Sequence, residues 1–186
     1  MTLPSLVSKI VIISLLLPFT LFRPLYASKT VDDQLSHSKI SEICEQTLNY
    51  GFCKTTLEQY PRTTLADMKD LATITIMLAM AQARLNKYAV DELQQRKESK
   101  HLKDKLASCL DDYTVVLHKL QDAYKICKGK ADYKAMMELV NDATSMNIKC
   151  QDRFVKHPNR PYPIADYNQK MLWLNNIALV VLSMLA

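Results

Sequence analysis

From residue 64 onward, apolar side chains recur at alternating spacings of three and four. That is the repeat of a helix burying one face among neighbouring helices. Four stripes can be traced. The first is Leu71, Ile74, Leu78, Ala81, Leu85 and Tyr88; the second is Leu102, Leu106, Cys109, Tyr113, Val116, Leu120, Ala123 and Cys127. The third is Tyr133, Met136, Val140, Ala143, Asn147, Cys150 and Phe154; the fourth is Ile164, Tyr167, Met171, Leu174, Ala178, Val181 and Leu185. Polar punctuation falls between them. Thr64 with Asp67 makes a capping-box-like start for the first helix, Ser99 can cap the second, and Asp132 suits the start of the third. Gly129 suits a left-handed residue ending the second helix, and Pro158 and Pro163 bracket the loop before the fourth. The connections are short, so neighbours should run antiparallel. The pattern predicts an all-α, up-down-up-down four-helix bundle over residues 64–186. Upstream, residues 40–48 and 52–59 read as two short helices joined by Asn49-Tyr50-Gly51. They make an N-terminal hairpin over 38–61, too short to be stable alone.

The two ends of the chain read differently. Residues 1–27 hold no acidic side chain, Lys9 precedes an apolar stretch, and Ala27 is small. That is the form of a secretory signal peptide. Pro18 and Arg23 interrupt the apolar run, so a spanning helix of ~20 apolar residues is not formed. Cleavage after Ala27 leaves one domain, 28–186, and lowers the net charge from +5 to +3 by removing Lys9 and Arg23. At the other end, residues 177–186 are mostly apolar but too few to span a bilayer. Their periodicity favours a core helix over a lipid-anchor signal.

Composition mainly removes alternatives. Of 186 residues only two, Gly51 and Gly129, are glycine. A dinucleotide fingerprint or a tight phosphate cradle needs more, and so does a hairpin-rich β fold. No proline occurs from 62 to 157, so long helices are permitted there. The histidines, His37, His101, His118 and His157, include no i, i+4 pair, and no C-x-x-C, H-E-x-x-H or G-x-S-x-G occurs. The acidic pairs Asp91-Glu92 and Asp111-Asp112 are adjacent on helices. Adjacent helical residues diverge by ~100°, so neither pair shares a catalytic pocket, and solvation is the expected role. The reading is of a protein that is not an enzyme and needs no metal or cofactor.

Five cysteines, Cys44, Cys53, Cys109, Cys127 and Cys150, allow fifteen patterns of two bonds with one free thiol. An exported chain permits such bonds. Cys109 lies 20 residues before Gly129 and Cys150 lies 21 after it. In an antiparallel pair both sit ~30 Å from the turn on facing stripes, so Cys109–Cys150 is a natural cross-link. Cys44 and Cys53 flank the hairpin and can close it. Cys127 is left as a free thiol, expected to behave as a small buried hydrophobe.

Basic residues gather at the two ends of the bundle. Arg96, Lys97, Lys100, Lys103 and Lys105 surround the first turn, and Lys125, Lys128, Lys130 and Lys134 the second. These are solvated helix ends or, alternatively, a partner-docking surface. The small net charge and the absence of a reading module argue against nucleic acid.

Several motifs in order are similar to a known family. Ile43-Cys44, then Leu48-Asn49-Tyr50-Gly51-Phe52-Cys53, then Leu57 and Tyr60-Pro61, resemble the hairpin of the plant invertase and pectin methylesterase inhibitor family. Cys109-Leu110-Asp111-Asp112-Tyr113 with Leu117 and Leu120 is a second match. Residues 143–150 with Asp152 and Phe154 are a third. The hairpin and the third segment resemble especially the branch of pollen allergens and invertase inhibitors. The resemblance implies a protein secreted to the plant apoplast or cell wall, which plugs the cleft of a carbohydrate-active enzyme. It implies a monomer binding its target one to one, with no nucleic acid and no membrane span. Invertase inhibitors of the family carry Pro-Lys-Phe at the start of the third bundle helix. The matching positions here are Ala131-Asp132-Tyr133, followed by Lys134. An acid in place of the lysine would be repelled by a carboxylate-based glycosidase site. Pectin methylesterase is therefore the favoured target and acid invertase the alternative, with Ala131, Asp132, Tyr133 and Lys134 as candidate partner-binding residues. Two other classes remain: a helical secreted ligand, whose bundles often have long crossovers that this chain lacks, and an apolar-ligand carrier with methionines lining a cavity.

Overall fold

A computed structural model of the protein describes residues 37–60, 62–63, 66–130, 132–155 and 162–186, all within the unit Asp32–Ala186. The expected leader, Thr64, Ala131, His157 and Pro158 lie outside the described residues. Six helices follow in order: α1 (His37–Glu45), α2 (Tyr50–Gln59), α3 (Met68–Gln95), α4 (Lys100–Lys128), α5 (Tyr133–Val155) and α6 (Ala165–Ser183). The described elements are all helical. Helices α3 and α4, of 28 and 29 residues, reach ~42–44 Å. Helix α3 packs on α4, α4 on α5, α5 on α6, and α6 returns to α3, which closes the four-helix ring. The α1–α2 hairpin sits against α6.

The caps explain most of the boundaries. Asp67, rather than Thr64, is the N-cap of α3, where its Oδ1 accepts from the Asp70 N–H at 2.8 Å. A short turn in which Ala66 N–H donates to Thr63 O precedes it, so the bundle helix starts at Met68. Ser99 Oγ accepts from Leu102 N–H at 3.3 Å, as the sequence predicts. The hairpin joint moves by a residue or two. Asn49 Oδ1 accepts from Phe52 N–H at 3.0 Å, which pulls Tyr50 and Gly51 into α2. Gly129 does not take the expected left-handed conformation, for its φ is −99° and ψ is −139°. Its N–H donates to the carbonyls of Lys125 and Ile126, and that pair of bonds closes α4 without a positive φ.

The second and third stripes are buried from end to end, apart from half-buried Leu102, Cys127 and Tyr133. The first stripe turns away from its expected course. Ala81, Leu85 and Tyr88 are exposed, and the core face of α3 instead runs Ile76, Ala79, Ala83, Asn86 and Val90. Size misleads here. Alanine lets helices approach closely, so small residues and a satisfied asparagine occupy the inside while larger apolar residues remain outside. On α6 the substitution is similar, because Tyr167 is exposed and Asn168 is buried. The apolar C-terminal run is core as expected, with Ile177, Ala178, Val180, Val181 and Leu182 buried. No described helix is long and apolar enough to cross a membrane.

Each bundle helix contributes one buried polar side chain to a shared layer: Asn86, Tyr113, Asn147 and Asn168. Asn147 and Asn168 exchange amide-to-backbone bonds of 3.1 and 3.2 Å, and the Tyr113 hydroxyl donates to Asn168 Oδ1. Asn86 Nδ2 donates to Tyr167 O at 3.1 Å, and its Oδ1 accepts from Gln82 at 2.7 Å. Burial pushes the phenols of Tyr113 and Tyr162 well above the ordinary tyrosine range. A hydrogen bond from Asn86 opposes this only partly at Tyr113. The fold thus holds both phenols protonated. Their contribution is complete below the unfolded-chain value near pH 10 and is lost as pH rises toward the folded values. Stability is expected to fall above about pH 10 with a slope of up to ~1.4 kcal/mol per pH unit for each phenol. Denaturant midpoints measured across that range will check it. A Tyr113→Phe/Tyr162→Phe variant with the wild-type slope would refute the assignment.

Two disulfides tie the fold, Cys44–Cys53 with a Cα–Cα distance of 5.5 Å and Cys109–Cys150 with 4.9 Å, and Cys127 is free. The first closes the α1–α2 hairpin. That hairpin is keyed to α6 by Leu48 N–H donating to Asn176 Oδ1 at 2.7 Å and by the Phe52 and Trp173 rings, 4.9 Å apart. The second bridges α4 and α5. One turn from it, Asp112 is buried rather than solvating, which corrects the sequence expectation. Its Oδ2 accepts from Arg153, and its Oδ1 lies 3.5 Å from Lys149 Nζ, both from α5. Asp111 next to it is exposed, as the divergence of adjacent helical residues requires.

Candidate functional site

The candidate partner-binding residues lie where α4 turns into α5. Asp132 caps α5, with Oδ1 accepting from Ala135 N–H at 3.0 Å while its backbone carbonyl accepts from Met136 N–H. The side chain is exposed, so one carboxylate both fixes the helix start and presents negative charge to solvent. Tyr133 is half-buried against the core and Lys134 is exposed. Lys130, Asp132, Tyr133 and Lys134 line an open depression of about 510 Å³ that reaches Ala186 at the end of α6. The structure therefore brings Asp132, Tyr133 and Lys134 onto one end of the bundle, and Ala131 lies outside the described residues.

The remaining basic residues of this end are held in different ways. Lys125 Nζ reaches Asp122 at 2.8 Å, and Lys128 Nζ lies 5.5 Å from the centre of the Tyr124 ring. At the opposite end Lys105 lies 5.4 Å over Phe154, which in turn stacks on Tyr162. Exposed pairs of this kind contribute little to stability, so the clusters mainly shape the field at the two ends. Cys127 is half-buried with its Sγ 3.9 Å from Met136 Sδ, and burial raises its thiol above the usual range. A raised thiol is a poor nucleophile at neutral pH.

Asp91 and Glu92 are exposed and occupied with Gln95 and Tyr88 at 3.2 Å each. Among the described residues no three His, Cys, Asp or Glu side chains converge as metal ligands do. What the end offers is a charged surface at the joint of two long helices.

The model of the plant invertase/pectin methylesterase inhibitor family matches residues 38–183. The chain belongs to that family. The family is one of enzyme inhibitors, not of catalytic domains, which agrees with the non-enzymatic reading of the sequence. Among curated proteins, the pectinesterase inhibitor of Actinidia deliciosa is 28% identical over 181 residues, covering 97% of this chain and 96% of the relative. Two solved structures share the fold. A pectin methylesterase inhibitor from Arabidopsis thaliana superposes with a TM-score of 0.60 at 22% identity, covering 82% of this chain and 99% of that one. A mutant form of a pectin methylesterase inhibitor from Arabidopsis gives 0.69 at 23%, covering 78% and 96%. The family match begins at residue 38 and so takes in the hairpin, which is closed by its own disulfide and seated on α6.

Asn86 and Asn168 escaped the sequence reading. The signal for them was present in Asn147, a polar residue sitting squarely on an apolar stripe. A polar side chain there implies polar partners at the same level on the neighbouring helices.

Proposed function

We propose that this protein is a secreted inhibitor of pectin methylesterase that acts in the plant cell wall after loss of the leader 1–27. One molecule binds one enzyme, and no reaction occurs on the inhibitor. The end-to-end likeness to the Actinidia deliciosa pectinesterase inhibitor carries this reading. The geometry supplies a means. A bundle cross-linked at Cys109–Cys150, with a hairpin locked at Cys44–Cys53, has little conformational freedom left to lose on binding. Such a body can fill a cleft by shape and charge alone.

Acid invertase is the second reading, and the family description includes it. The exposed carboxylate of Asp132 argues against it, since a glycosidase site built on two carboxylates repels an entering acid. Titration of the purified protein against each enzyme tests both. Methylesterase activity is expected to disappear near one equivalent while invertase is little affected. No effect on either enzyme would sink the proposal. Asp132→Asn keeps the cap but removes the charge. It is expected to leave stability within about 0.5 kcal/mol and to raise residual invertase inhibition.

A further inference from the structure

The end of the bundle where α4 turns into α5 holds a second groove, which shares Tyr133 with the depression at the start of α5. Between the start of α3 and the end of α4 run two depressions, of about 360 and 380 Å³, that share Asp70, Thr73 and Lys128 and so form one groove. Its walls carry Tyr60, Tyr124 and Tyr133 and the cations Arg62, Lys69 and Lys128. All three cations are exposed and all three rings are half-buried, so each ring is fixed by the core while keeping a face or edge toward the groove. Lys128 is held across the Tyr124 ring rather than swinging freely.

We propose that this groove binds a carboxylated oligosaccharide, two or three sugar rings long. Aromatic side chains offer apolar faces on which the C–H side of a sugar ring packs. A guanidinium fork matches a planar carboxylate, and lysines add point charges beside it. The volume is in the range of small-ligand sites. The charge has the right sign, because Arg62, Lys69 and Lys128 outnumber the one acid of the lining, Asp70. The groove beside Tyr88 and Tyr167 also has two tyrosines, but its one cation, Arg96, is matched by the acid Glu92, so it carries no excess of positive charge. The proposal does not depend on which enzyme the protein inhibits.

Calorimetric titration of the purified protein with a defined oligogalacturonide, a neutral maltohexaose and a sulfated disaccharide tests it. The uronide is expected to bind, and Arg62→Gln/Lys128→Gln is expected to weaken it roughly tenfold or more, because two charge-assisted contacts are lost. Lys97→Gln/Lys100→Gln, at the opposite end, is expected to leave affinity within about twofold, since those charges lie far beyond the Debye length. Absence of uronide binding overturns the proposal. So does equal binding of the neutral sugar, tighter binding of the sulfated one, or an equal loss in the opposite-end variant, which would mean diffuse charge attraction only.

Discussion

Asn168→Ala is expected to destabilise the protein by about 3–5 kcal/mol, since it opens a cavity and takes a partner from two buried groups at once. Through its side chain Asn168 accepts from the Tyr113 hydroxyl and donates to the Asn147 carbonyl, while the bond from Asn147 Nδ2 ends on the Asn168 backbone and survives the substitution. Tyr113 and Asn147 are both fully buried, so neither can recruit bulk water when the partner goes. Each orphaned buried group costs about 1–3 kcal/mol, and bonds that polarise one another lose more than their separate values. Tyr113→Phe removes one bond and is expected to cost about 1–3 kcal/mol. The double variant should cost less than the sum, because the two residues share a bond. Urea unfolding with an unchanged m-value will measure all three. A loss below about 1 kcal/mol in Asn168→Ala would show that the polar layer does not hold the bundle.

Removal of the Cys109–Cys150 bond by paired replacement with alanine is expected to cost about 4 kcal/mol, against about 2.7 kcal/mol for Cys44–Cys53. The difference follows from the sequence separations, 41 against 9, which set how much freedom the unfolded chain regains. Paired replacement matters. A single substitution leaves a second free thiol beside Cys127 that can attack the remaining disulfide, scramble the pairing and confuse the comparison. The Asp112–Arg153 pair lies one turn from the bridge and spans the same two helices, so loosening the bond also loosens a buried charge. Removing either partner of such a pair is costly because the other charge is left behind. Denaturant midpoints of the two paired variants will test the ranking. Equal losses, or a larger loss for the hairpin bond, would contradict the loop-closure account.

How far the chain could be read by eye depended on what each residue had to satisfy. The stripes of α4 and α5 were legible because large apolar residues, two half-cystines and a proline-free stretch all point the same way. The bridge between Cys109 and Cys150 followed from equal distances to one turn. The first stripe misled because Leu85 and Tyr88 keep a helical spacing while facing solvent, and Ala79 and Ala83 face the core. Helical spacing alone cannot tell an inner stripe from an outer one. The candidate site was legible only as a position, the start of α5. Asp132 was recognisable as a cap, but the depression it shares with Ala186 is made by residues more than fifty positions apart.

The sequence by itself determined the helical content, the order of the helices and both disulfide pairings. Those depend on local spacing, capping and the redox chemistry of paired thiols. Only the tertiary structure decided which face of α3 points inward, that Asp112 is buried against Arg153, and that four polar residues meet at one level. Packing is a property of the whole ring: a helix buries the face its neighbours can approach most closely and whose polar groups they can satisfy.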